Sequence, residues 1–263
     1  LHSFPTRRSA DLRKMKRKII VVTAAYGSEQ INAMGGQCAV LPLIANAGAD
    51  GVEIRRELLS DKELSSLPTL AATIEAHRLL ACYSAPQALC LEDGSLNPHL
   101  PALLEEARTL KALWLKVSLG HYQRKDVLET LRGWLDESGM ALVVENDQTE
   151  CGQLAPMQRF KAACSVMALP VTLTFDTGNW VWVGESPEAA AHLLAPAVSY
   201  IHVKAAIPHH ENYRAVAPDK ADERWLALLN QLPPDAPRGI EFPLEGDDLT
   251  AVTRHYVDLL REE

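Results

Sequence analysis

The chain has 263 residues, 47% of them hydrophobic, and a formal net charge of -8 at pH 7. That length matches the roughly 250 residues of one α/β barrel, and the acidic balance supplies no basic field for a phosphate backbone, so no nucleic-acid partner is expected. No apolar run approaches the roughly 18 residues that span a bilayer and no signal-peptide core follows the basic start, so no membrane partner is expected either.

The first twelve residues, LHSFPTRRSADL, show neither helical nor alternating patterning. HSFPTRRSADL is similar to the translation of a common sequencing-library adapter, departing from it at Ala10, and Met15 is a plausible initiator. Residues 1–14 are therefore expected to be a non-native leader and 15–263 the domain. Because the leader carries Arg7, Arg8, Arg13 and Lys14 against Asp11, the rest of the chain is more acidic still.

From Ile19 onward, short β-branched or apolar runs alternate with longer segments of helical period, the pattern of repeated βα units. Strands are predicted over 19–24, 51–54, 79–83, 113–117, 141–145, 171–176, 200–203 and 239–242. Helices are predicted over 37–47, 68–76, 101–110, 125–138, 157–167, 187–194, 221–232 and 249–261. Ser186 before Pro187 reads as a helix start, and Gly48 and Gly139 read as stops. About eight strands in one undivided chain predict an α/β fold, a single (β/α)8 TIM barrel. The longest irregular stretch, 205–220, follows the seventh strand and is expected to be a lid or binding loop. Five scattered cysteines (Cys38, Cys82, Cys90, Cys151, Cys164) without CxxC spacing point to reduced thiols and a cytoplasmic location.

Four predicted strands in the second half end on a metal-binding side chain: VVEN at Glu145, LTFD at Asp176, YIHVK at His202 and GIEF at Glu241. Such side chains delivered by successive βα units converge at the C-terminal mouth of a barrel. Three carboxylates and one imidazole form a mainly hard set, suited to one divalent ion, Mn²⁺ first, with Mg²⁺ or Co²⁺ as alternatives. Such an ion polarises a carbonyl and acidifies the neighbouring C–H. Glu145 and Glu241, from well-separated strands, then suit removal and return of a proton from different sides of a substrate.

Together VVEN, FDTGN, IHVK and GIE resemble the strand ends of the xylose-isomerase-like barrels, the sugar isomerase/epimerase group, and the likeness extends loosely from Met15 through AGADGVEIR around Glu53 to the C-terminus. The resemblance implies that Glu145, Asp176, His202 and Glu241 are metal ligands and that the two glutamates are the acid–base pair. Two departures bear on substrate: Ala205 stands where many members have an acid, and Asn179 where ketose-epimerase branches often have histidine. VEIRREL, LKVSLG and FDTGNW also look like an epimerase branch associated with ketogluconate use. The implied activity is a metal-dependent epimerase or isomerase of a sugar or sugar acid acting through an enediolate. A dehydratase on a related polyol or keto-acid, and a non-catalytic sugar-binding barrel, are the alternatives. PLEGDD after the eighth strand is acidic with one glycine, unlike a barrel phosphate site, so an unphosphorylated substrate is expected. A nucleic-acid-cleaving barrel would need histidines at the early strand ends, where CYSAPQ and LKVSLG have none.

Glu53 (with Arg55 beside it), Lys116, Asn179 and Lys204 are expected to contact the substrate, with a structural ion pair for Glu53 and rim exposure for the lysines as the alternatives. Trp180 and Trp182 are read either as a wall beside a sugar ring or as a contact in a homo-oligomer. His209 and His210 are expected to lie in solvent, since adjacent residues rarely aim at one ion.

Overall fold

In the computed structural model of the protein, residues 17–263 are described; the leader expected over 1–14 lies outside the described residues. Eight parallel strands close into one (β/α)8 barrel. In chain order they are β1 Ile19–Val22, β2 Gly51–Arg55, β3 Leu80–Ser84, β4 Leu115–Ser118, β5 Leu142–Glu145, β6 Thr172–Asp176, β7 Val198–Val203 and, after a hairpin of β8 Ala205–His209 and β9 Asn212–Val216, β10 Arg238–Ile240. Going round the barrel, the order is β1-β10-β7-β6-β5-β4-β3-β2.

Strand periodicity explains how buried apolar strands also carry a polar site. On β1, Ile19 and Val21 join the main apolar core, whereas Ile20 packs inside the barrel with Cys82, Tyr200 and Trp114. One step further along the inward rows come Glu53, Lys116 and His202, so the interior passes from an apolar floor to a charged layer towards the C-terminal mouth.

The predicted helix signals act as expected. Ser186 Oγ accepts from Ala189 N at 3.2 Å and starts the helix Pro187–Leu194; Gly139, at φ 66°, stops the helix Val127–Ser138. Short helices over Ser28–Met34, Asp61–Leu64 and Asn179–Trp182 were not among the predicted elements. Each has seven residues or fewer, too short to establish a period.

Two boundary differences matter for the site. The eighth barrel strand ends at Ile240, so Glu241 lies one residue beyond it. The stretch expected to be irregular is instead the β8–β9 antiparallel hairpin, turned at His210 (φ 54°). Pro208 within β8 obscured that strand in the sequence, and a two-stranded ribbon, in which both strands are edges, tolerates it opposite Tyr213. His209 is at the exposed end of β8.

Candidate metal centre

Glu145, Asp176, His202 and Glu241 meet at the mouth, each offering one ligand atom with all four atoms within 4.8 Å of one another. Neighbouring strands set this convergence: Asp176 is in register with His202, and Glu145 is opposite Thr174 on β6. Such a group of His, Asp and Glu could hold a metal ion.

The three carboxylates share one arrangement, an oxygen tied back to the protein and an oxygen turned to the centre. Glu145 Oε1 accepts from Lys116 Nζ at 3.1 Å, while its buried Oε2 has no hydrogen-bond partner. Asp176 Oδ1 accepts from the backbone N–H of Gly178 and Asn179, both at 2.9 Å, while buried Oδ2 has no hydrogen-bond partner. The turn that Asp176 Oδ1 caps and the ligand role therefore use different oxygens of one residue. Glu241 Oε1 lies 3.5 Å from Arg55, and Oε2 lies 2.7 Å from His202 Nδ1. His202 Nδ1 is also 2.7 Å from Glu145 Oε2, without forming a hydrogen bond to it. Glu145 Oε2, without a hydrogen-bond donor, and Asp176 Oδ2, facing only the ion-pair contact of Lys204 Nζ at 3.2 Å, lie beside an imidazole nitrogen and fit a hard or borderline divalent cation.

Electrostatics point the same way. Glu53, Glu145, Asp176 and Glu241 face three permanent cations, Lys116, Lys204 and Arg55, so the cluster carries excess negative charge whenever His202 is neutral. Burial and the repulsion of Glu241 and Glu145, outweighing Lys204, push Asp176 up to about 8. Burial alone would lower His202, but Glu53, Glu145 and Glu241 together hold its pKa well above the ordinary histidine value. Burial likewise works against ionised Glu241, yet Lys204, His202 and Arg55 keep it well below the usual carboxylate range. Without an ion, protons fill the role of the missing positive charge.

The residues expected to contact substrate divide sharply. A cavity of about 360 Å³ opens beside Glu241 and Lys204, walled by Tyr26, Ala215, Phe242 and Pro243, at the small end of the roughly 300–1,000 Å³ typical of ligand sites. Lys204 lines it, with Nζ 3.2 Å from Asp176 Oδ2. Lys116 does not line it; it is 4% exposed and bonded to Glu145 rather than lying at the rim. Glu53 is fully buried, its Oε1 taken by His202 and Tyr200, so the structure replaces a substrate contact with a brace beneath the centre. Asn179 is also occupied: Nδ2 donates to Asn146 O at 2.7 Å and Oδ1 accepts from Gln148 at 3.1 Å. Trp180 is fully buried against Phe175, whereas Trp182 packs at a tilt against Tyr213 of the hairpin with Lys204 Nζ 5.6 Å from its ring centroid. His209 and His210 are exposed, as expected.

Sequence reasoning passed over Asn146, Tyr200 and two glycines. Asn146 accepts from Asp176 N and donates to Asp176 O, pinning the ligand's backbone; its position directly after Glu145 in VVEN was the available signal. At Gly178 an added Cβ would lie 2.7 Å from Lys204 Cγ. Gly178→Ala is therefore expected to displace Lys204 and cost about 1–3 kcal/mol in denaturant unfolding. Gly133→Ala, in open space within a helix, should instead stabilise by about 0.5–1 kcal/mol. Equal effects from the two would show that Lys204 is free to move.

No protein-family model matches the chain, and no curated protein matches it in sequence. Among solved structures, the IOLI protein with a bound zinc atom aligns at TM-score 0.70 and 15% identity, covering 92% of this chain and 98% of that one. A probable 3-DHS dehydratase of Bacillus anthracis, AsbF, aligns at TM-score 0.68 and 12% identity, again over 92% and 98%. The 3-keto-D-glucoside 4-epimerase of E. coli, without ligand, aligns at TM-score 0.62 and 16% identity, over 86% and 94%. The chain thus has the fold of the xylose-isomerase-like TIM barrels. Structures of that fold include epimerases and a dehydratase.

Proposed function

We propose that this chain is a divalent-metal-dependent epimerase or isomerase of a small sugar or sugar acid, working by proton abstraction next to a carbonyl. The observation that carries this reading is the convergence of the inward-turned oxygens of Glu145 and Asp176, neither of them hydrogen-bonded, with His202 Nδ1 and Glu241 at the edge of a cavity of monosaccharide scale. Mn²⁺ is the first candidate, with Mg²⁺ or Co²⁺ as alternatives, because the donors are mostly carboxylate oxygens. Bound there, the ion would act as a Lewis acid on a carbonyl oxygen and lower the barrier to losing the adjacent proton.

The chain's own groups then divide the work. Glu241, at the cavity wall, and Glu145, beside it in the cluster, would take a proton from a carbon and return it on the opposite face. Lys204 is the fixed cation facing the substrate and would hold a hydroxyl or carboxylate oxygen. Phe242 and Tyr26 supply apolar surface for the face of a ring. Five free cysteines agree with a reducing, cytoplasmic setting.

A dehydratase is the second reading, favoured by the AsbF likeness and by a first step common to both reactions. Incubating metal-loaded protein with a panel of keto-sugars and sugar acids in D₂O decides between them. Deuterium next to the carbonyl with inversion or isomerisation is the expected result. Exchange with loss of water would move the assignment to the dehydratase, and binding without exchange to a sugar-binding barrel.

A further inference from the structure

Glu53, Tyr200 and Gly239 are unused by the reaction above, yet they form a continuous buried chain ending on a metal-binding side chain. Tyr200 Oη donates to Glu53 Oε1 at 2.9 Å, and the same oxygen lies 2.8 Å from His202 Nε2. All three residues are fully buried. Gly239, in register with His202 on the neighbouring strand, leaves the space this chain occupies: an added Cβ would overlap the Tyr200 hydroxyl oxygen and lie 3.2 Å from His202 Cδ2.

We propose that Glu53, itself held by Tyr200, is the positioning residue of the metal centre, keeping His202 protonated at Nε2 so that Nδ1 presents its lone pair to the ion. The proposal rests on the metal-centre reading above and adds a residue from β2 that contributes no ligand and touches no substrate.

A neutral imidazole carries one N–H, and a carboxylate oxygen at Nε2 accepts only if that proton is on Nε2. Without an ion Nδ1 bonds Glu241 Oε2 at 2.7 Å; an ion held among Glu145, Asp176 and Glu241, whose oxygens lie 2.7, 4.0 and 2.7 Å from Nδ1, would take the place of the proton in that bond and meet the Nδ1 lone pair. A ring flipped about its Cβ–Cγ bond would lose the Glu53 bond. Glu53 is kept from swinging by Tyr200 on one oxygen and by Lys116, 3.8 Å from the other. A fully buried carboxylate is otherwise a poor stabiliser, since apolar side chains of similar volume pack a barrel floor at no electrostatic cost. A bond from the second nitrogen of a ligand histidine to a carboxylate also raises the basicity of the ligating one.

The test is calorimetric titration of Mn²⁺ and Zn²⁺ into wild type, Glu53→Gln, Glu53→Ala and Tyr200→Phe, with ¹⁵N imidazole spectra of the Zn²⁺-loaded proteins. Glu53→Gln keeps an acceptor but loses the charge, and should weaken metal binding by about tenfold. Glu53→Ala should weaken it by up to about 100-fold, the usual range for such partners, and its spectrum should no longer show a single Nε2-protonated ring. Tyr200→Phe should fall between wild type and Glu53→Gln. Should Glu53→Ala fail to fold, near-isosteric Glu53→Gln and Tyr200→Phe carry the test. Wild type binding the ions, with Glu53→Gln unchanged in affinity and tautomer, overturns this proposal alone. A wild type that binds neither ion overturns the metal centre and the proposal together.

Discussion

Glu145→Gln and Glu241→Gln are each expected to lower turnover by roughly 10²–10⁴-fold at saturating metal, the usual scale for losing a general acid or base. Glutamine keeps the shape and one ligating oxygen but cannot exchange a proton with carbon. If the two glutamates serve opposite faces, the variants differ in a way simple metal loss would not produce. Each should still exchange deuterium into the epimer whose proton the remaining glutamate removes, while failing to complete inversion. Glu241 sits at the cavity wall and Glu145 is anchored to Lys116, so the epimer that continues to exchange identifies the face each serves. Turnover above a tenth of wild type in either variant, at saturating metal, would sink the pairing. Loss of exchange from both epimers in both variants would trace the defect to metal binding, which titration measures separately.

Saturating Mn²⁺ is expected to raise the unfolding midpoint, and by more at pH 8 than at pH 6. At about 100 times the dissociation constant the stabilisation is about 2.7 kcal/mol, or roughly 5–10 °C for a domain of this size. The pH dependence follows from the cluster without an ion. Asp176, raised by burial and by Glu241 and Glu145 against the pull of Lys204, holds its proton up to about 8, whereas its ordinary value is 3.8. His202, raised by Glu53, Glu145 and Glu241 over the opposing effect of burial, holds its proton well above 6.5. From about pH 6, where Glu53, Glu145 and Glu241, held low in the native state, are ionised folded or unfolded, up to about pH 8, Asp176 and His202 therefore make the native state bind more protons than the unfolded chain. Stability of the ion-free protein must fall as pH rises through that window. A divalent ion expels those protons, so its affinity should climb by about tenfold per pH unit for each proton released. A midpoint indifferent to Mn²⁺, Mg²⁺ and Co²⁺ at every pH would remove the metal from the reading. Full activity after exhaustive chelation would do the same.

Much of the fold could be read without coordinates because barrel strands announce themselves locally. Runs such as IIVV and LTFD are buried on both sides, and the helices between them have long apolar periods with capping residues such as Ser186 and Gly139. The four converging side chains were legible for the same reason: each is at or just past a strand end, and barrel closure brings all such ends to one mouth. Closure is a property of the whole repeat, so chain order alone was enough to assemble Glu145, Asp176, His202 and Glu241.

Tertiary structure alone decided how the neighbours of that cluster divide. Glu53, Lys116 and Lys204 are all inward-row polar residues near strand ends, and nothing in their local sequence ranks them by depth. Stagger between strands sets that depth. It places Glu53 beneath His202, Lys116 against Glu145 and Lys204 at the cavity wall. Asn179 was likewise separated from the substrate side only by its bonds to Asn146 and Gln148. Gly239, an unremarkable strand glycine in the sequence, is required where the Tyr200 hydroxyl from the adjacent strand fills the space of its missing side chain. Local pattern thus determined which face each side chain occupies. Depth, and which oxygen of each carboxylate faces the centre, depend on contacts between residues up to 186 positions apart, which no local pattern encodes.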